Sequence, residues 1–178
     1  MWAEPSAELY PLDIGCDNTY CNGVANELLA ELKQTKPYKS VAQEAHISIA
    51  RTAAVLGHAL EEILKPYGIT ATQYNVLRIL RGAGSDGLCR NEVRDRMVTK
   101  VPDVTRLLDR LEVMHLVSRA RSIEDRRHMT TRITKEGQRL LDRVEQPVMD
   151  SHEHMIGHVP EQELRTLLTL LAKIRRAR

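Results

Sequence analysis

A mainly α fold with one small β-hairpin is predicted by three observations. Aromatic residues are only 3% of the 178 and Phe is absent, so the core must be built from Leu, Val, Ile, Ala and Met, which suit packed helices better than aromatic-rich sheets. From Val41 onward, apolar residues recur in steps of three and four along most of the chain. That period gives way to a strand-like pattern only between Leu116 and Ile133, on either side of the polar loop Ser122 to His128. The 42% apolar content is enough for a real core, and the length suits one compact unit with an appendage.

In the first forty residues, Pro5, Pro11, Gly15, Gly23 and Pro37 interrupt any period. Only Asn22 to Lys33 reads as a short helix, with Val24, Leu28, Leu29 and Leu32 at helical spacing. From Val41, the residues Ala45, Ile49, Ala53, Leu56, Leu60 and Leu64 continue one stripe, a long amphipathic helix stopped by Pro66 and Gly68. Thr70 or Thr72 caps a second helix with the stripe Tyr74, Leu77 and Leu80, ended by Gly82, Gly84 and Gly87. A short third helix follows from about Arg90 to Met97.

Pro102 sits where a first-turn proline belongs in a fourth helix. Val104, Leu107, Leu108, Leu111 and Met114 form its buried face, leaving Thr105, Arg106, Asp109 and Arg110 outside. Leu116 to Arg121 and Met129 to Ile133 make the hairpin. The helical period returns from Thr134 through Leu140, Leu141, Val144 and Val148, with Pro147 as a kink or break. A last helix runs from Pro160, with Leu164, Leu167, Leu168, Leu171 and Ile174 on one side.

This order puts a winged helix-turn-helix core at 69–136, after an N-terminal extension at 1–40 and a dimerisation helix at 41–68, and before C-terminal dimerisation helices at 137–178. The amphipathic end helices need a partner surface, and in a chain this short a second copy supplies it most cheaply, so a homodimer is expected.

A net charge of +2 says little, but its distribution says more. Residues 1–40 carry six acids against three lysines, whereas residues 100–139 carry ten Lys/Arg against six Asp/Glu. The change of sign suggests a local anionic partner. The three cysteines, Cys16, Cys21 and Cys89, are an odd number and no basic-then-apolar leader opens the chain, so no disulfide framework is expected. No apolar run approaches the roughly 20 residues that span a bilayer. A soluble cytoplasmic protein without membrane contact is expected.

The strongest constellation is Val104-Thr-Arg-Leu-Leu-Asp-Arg-Leu111 with Glu124-Asp-Arg-Arg127, followed by Arg132-Ile-Thr-Lys-Glu-Gly137. A helix entering the major groove needs short polar and basic residues near its start, and Lys100, Asp103, Thr105, Arg106 and Arg110 supply them. A wing reaching the minor groove needs a cation on a tight loop, and Arg126 and Arg127 lie there, with Asp125 placed to orient one of them.

At these residues the sequence resembles the MarR (multiple antibiotic resistance) family of winged helix-turn-helix regulators, whose members carry Thr-Arg-x-x-Asp-Arg-Leu in the recognition helix, Asp-[Arg/Lys]-Arg in the wing and a Leu/Ile-Thr-x-x-Gly helix start. The likeness covers roughly Val41 to Arg178. It implies a dimer that binds duplex DNA at a palindromic operator and represses transcription until a small ligand or oxidant loosens it. It also places Thr105 and Arg106 at base- or backbone-contacting positions and Arg126 and Arg127 on the wing. The chain departs from the pattern with His115 where relatives often have Gly, and with Cys89 where Ser or Thr often starts the third helix.

No phosphate-binding glycine loop, zinc-protease helix or nucleophile motif points to catalysis, and no cofactor is expected. His154 and His158 share the i, i+4 spacing that binds zinc, near His152, but no further ligand completes a site, so no metal is expected. Cys89 reads as a half-buried small residue rather than a redox sensor. The alternatives to a DNA-binding repressor are a winged-helix module that grips a protein, or a metal sensor.

Overall fold

The computed structural model describes residues 27–121 and 129–176, which divide into two compact units, one up to Ala53 and one from Ala54 onward. In the first unit, residues 27–31 are helical and Lys33, at φ 52°, leaves that turn. Helix α1 spans Val41–Leu64. It starts where the Ser40 hydroxyl accepts from the Gln43 amide at 3.2 Å, satisfying an amide that has no partner within the helix. At its other end a 3₁₀ turn, Lys65–Tyr67, closes on Gly68, whose φ of 72° is a backbone state other residues enter at a cost.

The second unit builds its core where the sequence placed the stripes. Helix α2, Ala71–Gly82, is opened by a capping box in which Gln73 N–H donates to the Thr70 hydroxyl and Thr70 N–H donates to the Gln73 side-chain oxygen, settling the choice between Thr70 and Thr72. Its Val76, Leu77 and Leu80 are fully buried, together with Val93 of helix α3, Arg90–Arg96, and Leu111 of helix α4, Val104–Val113. Helix α5, Lys135–Ile156, contributes Leu140, Leu141, Val144 and Val148 to the same cluster, and helix α6 spans Glu161–Arg176.

One sequence expectation, the place of Pro102, needs correction, and two need refinement. The hairpin strands, β2 at Val117–Arg121 and β3 at Met129–Ile133, are joined by a third strand, β1 at Leu88–Cys89, in an antiparallel sheet of order β1-β3-β2. Two residues are too few to show a period, so β1 leaves no pattern in the sequence. Its entry depends on Gly87, at φ 70°, where a Cβ would lie 2.5 Å from the Thr131 carbonyl oxygen. Pro102 is not in the first turn of α4: Asp103 is the N-cap, and the proline precedes it. Pro147 does not end α5, which runs on to Ile156, because buried Val144 and Val148 hold the helix to the core on both sides of the proline.

Cys89 does occupy the N-cap of α3, but the capping is reinforced from the opposite side, by the Glu92 carboxylate accepting from the Cys89 amide at 2.7 Å. That hydrogen bond holds the Glu92 carboxyl below the usual glutamate range. A depressed pKa means the stabilisation is present above the unfolded-state glutamate pKa and lost as pH falls through the folded value. Because the group is exposed, Glu92→Ala should cost less than about 1 kcal/mol at neutral pH. The gap between parent and variant in urea midpoint should narrow as pH falls below the ordinary glutamate range and close once the folded-state carboxyl is protonated, and a gap independent of pH would show that the carboxylate does not cap.

Candidate nucleic-acid interface

Helix α4 has two faces because of its apolar spacing. Val104, Leu108 and Leu111 are buried, so Thr105, Arg106 and Arg110 are left on the outside. Asp103 fixes where the helix begins, its carboxylate accepting from Arg106 N–H at 3.0 Å while the second oxygen meets Arg106 Nε at 3.2 Å. The Arg106 side chain is 82% exposed, and an ion pair in that setting is worth about 0–1 kcal/mol, so an incoming phosphate or base edge can take over the guanidinium cheaply. Lys100 is exposed in the turn that leads into Asp103.

Two clefts flank the helix. On one side a cavity of about 310 Å³ is lined by Arg90 and Asn91 at the start of α3, Thr105 and Leu108 of α4, and Arg119 and Thr131 of the sheet. On the other, Asp103, Arg106 and Arg110 border a cleft with Thr70, Thr72 and Glu61. The outward residues of α4 are therefore bordered by the start of α3 on one flank and by the start of α2 on the other. Arg90 and Asn91 were not singled out from the sequence, although the segment Arg90 to Arg96 holds three exposed arginines, Arg90, Arg94 and Arg96.

The sequence also gave no hint of Arg119. It sits on β2 two residues after buried Val117, on the strand face turned toward α4. Its Nε donates to Glu112 at 2.8 Å, and its Nη2 reaches both Glu112, at 2.6 Å, and Asp109, at 2.5 Å. Glu112 also accepts from the Arg119 amide at 3.2 Å. The hydrogen bonds that the guanidinium donates to Glu112 and then Asp109 raise its pKa above the ordinary value, against the opposing effect of burial. A half-buried arginine two positions after a buried strand residue demands a carboxylate, and Asp109 and Glu112, spaced i, i+3, were the available pair.

At the base of the hairpin, the Thr134 hydroxyl donates to the His115 carbonyl at 2.7 Å and accepts from Gly137 N–H at 3.1 Å. His115 takes the left-handed turn at φ 58° that glycine often fills. Asp125, Arg126 and Arg127 lie outside the described residues. Among those described, no group of three or more His, Cys, Asp or Glu is arranged to hold a metal: His152 and His154 are on α5 and His158 lies beyond its end. No helix among them is long and apolar enough to cross a membrane.

A family model described as the transcriptional regulator SarA/Rot matches residues 58–144. The multiple antibiotic resistance protein MarR of Salmonella typhimurium is 33% identical over 118 residues, which cover 65% of this chain and 79% of the relative. The chain belongs to the MarR family of winged-helix transcription regulators. A MarR transcription factor from Planctomyces limnophilus, solved as a crystal structure, is 37% identical with a TM-score of 0.59, the match covering 76% of this chain and 98% of that one. A mutant MarR from Escherichia coli complexed with operator DNA is 28% identical with a TM-score of 0.67, covering 72% of this chain and 91% of that one. The helices and the small three-stranded antiparallel sheet described above are those of a winged-helix fold.

Proposed function

We propose that the protein is a homodimeric, sequence-specific binder of duplex DNA that regulates transcription in the cytoplasm and is not an enzyme. It acts as a repressor relieved by a small ligand or oxidant, as its relatives' repressor names suggest. The observation that carries this reading is the outward face of α4, where Thr105, Arg106 and Arg110 stand on a helix whose other side is locked into the core. Such a helix offers hydrogen-bond donors to base edges from a rigid base, which is what major-groove readout requires.

In this reading Lys100 contacts phosphate, Thr105, Arg106 and Arg110 face the groove, and Asp103 serves them as the cap that aims the first turn. Arg126 and Arg127 enter the neighbouring minor groove, with Asp125 orienting one of them. Residues 69–136 are the reading region, and the helices before and after it pair two copies. Support for the pairing comes from apolar side chains that a single chain leaves exposed: Val41, Ile49 and Val55 on α1, and Leu167, Leu168, Leu170 and Ile174 on α6.

Selection of bound duplexes from a random pool tests both halves of the proposal. A two-fold protein should enrich a palindrome, with half-sites about one helical turn apart. Light scattering at micromolar concentration should give twice the mass of one chain. Enrichment of no sequence, or a monomeric mass, would overturn the corresponding half.

A further inference from the structure

Arg119 holds α4 more firmly than the packing of a strand against a helix requires. Asp109 and Glu112 lie one turn apart on the helix face that also carries Thr105, and the guanidinium spans both carboxylates while its own amide donates to Glu112. The grip ties the middle and the end of a ten-residue helix to the strand that leads into the wing. Apolar packing of Val104, Leu108 and Leu111 holds α4 to the core but resists rotation about its axis weakly, because van der Waals attraction is not directional. The fork of a guanidinium on two carboxylates is directional, and at 22% exposure the Arg119 side chain is shielded enough for it to count.

We propose that Arg119 is a positioning residue. Through Asp109 and Glu112 it sets the rotation of the recognition helix relative to the hairpin, so that Arg106 and Arg110 reach one groove while the wing reaches the next. This rests on the reading of the protein as a duplex-DNA binder. The same pairs have a second consequence. Two carboxylates on a DNA-facing helix repel phosphate, and Arg119 draws them toward the sheet and offsets their charge.

Those two consequences predict opposite results for the double variant Asp109→Asn with Glu112→Gln, which keeps side-chain shape and removes both charges. If Arg119 positions the helix, affinity for the selected operator falls at least about tenfold, roughly the discrimination supplied by one good base pairing, although the protein has become more positive. Affinity for a scrambled duplex stays level or rises, because binding without base readout depends on charge rather than on the aim of the helix. If the carboxylates matter only through repulsion, or only for folding, the folded double variant binds the operator as tightly as the parent or more tightly, and the positioning role is overturned. Glu112→Gln alone, with circular dichroism to confirm the fold, provides the same comparison with a smaller loss if the double variant does not fold. The parent serves as the reference: if it selects no duplex, the DNA-binding reading itself has failed, whereas a parent that binds and a variant that binds equally well count against Arg119 alone.

Discussion

Gly137→Ala should destabilise the protein by about 2–3 kcal/mol, although the same change in an ordinary helix gains about 1 kcal/mol from helix propensity. Gly137 is the third residue of α5, and a Cβ there would overlap the Leu116 carbonyl oxygen and come within 2.7 Å of Ile133 Cγ1. The carbonyl has no room to give way, because it already accepts from Thr134 N–H at 3.0 Å while Leu116 itself is buried. An added methyl must therefore lever the start of α5 away from the base of the hairpin. Urea midpoints of parent and variant at one protein concentration would measure this, since the stability of a dimer depends on concentration. A variant as stable as the parent would mean that α5 does not approach the base of the hairpin so closely. The result also gives a physical meaning to the Ile133-Thr134-x-x-Gly137 pattern read in the sequence: Thr134 caps the helix and bonds back to His115, and glycine is the residue that fits beneath them.

The second large effect concerns the wing. Replacing Arg126 or Arg127 with Ala should weaken binding to many duplexes alike, because a cation in the minor groove responds to charge and groove width more than to base identity. The slope of log affinity against log salt should become shallower by about one unit for each phosphate that no longer has its cation. Arg106→Ala should behave differently if Arg106 reads a base, relaxing preference at one position of each half-site by roughly 1–3 kcal/mol. The exposed pair of Arg106 with Asp103 is too weak to account for an effect of that size. Unchanged binding by both wing variants at every salt concentration would favour the protein-gripping alternative.

How much of this was legible in the sequence depended on length and direction. Helices of ten residues or more declared themselves because a stripe such as Leu77, Leu80 or Leu140, Leu141, Val144, Val148 repeats often enough to fix a period. The outer face of α4 followed from its buried one, so Thr105, Arg106 and Arg110 were legible as candidates from the stripe alone. Strand β1 was not, because two residues carry no period and its pairing with Thr130 and Thr131 is made some forty positions away. Pro102 was misplaced by two positions because two start signals, a proline and a capping aspartate, stand side by side, and only the hydrogen bond from Arg106 N–H shows which one begins the helix. Pro147 was read by its local cost, while packing on both sides decided the outcome. Arg119 escaped for a different reason: the sequence shows a charge on a strand, but the carboxylates that give it a role come from another element.

The most direct test of the claim that this surface reads DNA is a salt titration of the parent protein on its selected operator. Between about 50 and 200 mM salt, log affinity should fall linearly with log salt, with a slope of about −0.9 for each phosphate neutralised. A dimer that presents Lys100, the α4 arginines and the wing twice should therefore show a slope of several units. An affinity that stays flat over that range would contradict the account, because no arrangement of these cations on phosphates could then be what holds the complex together.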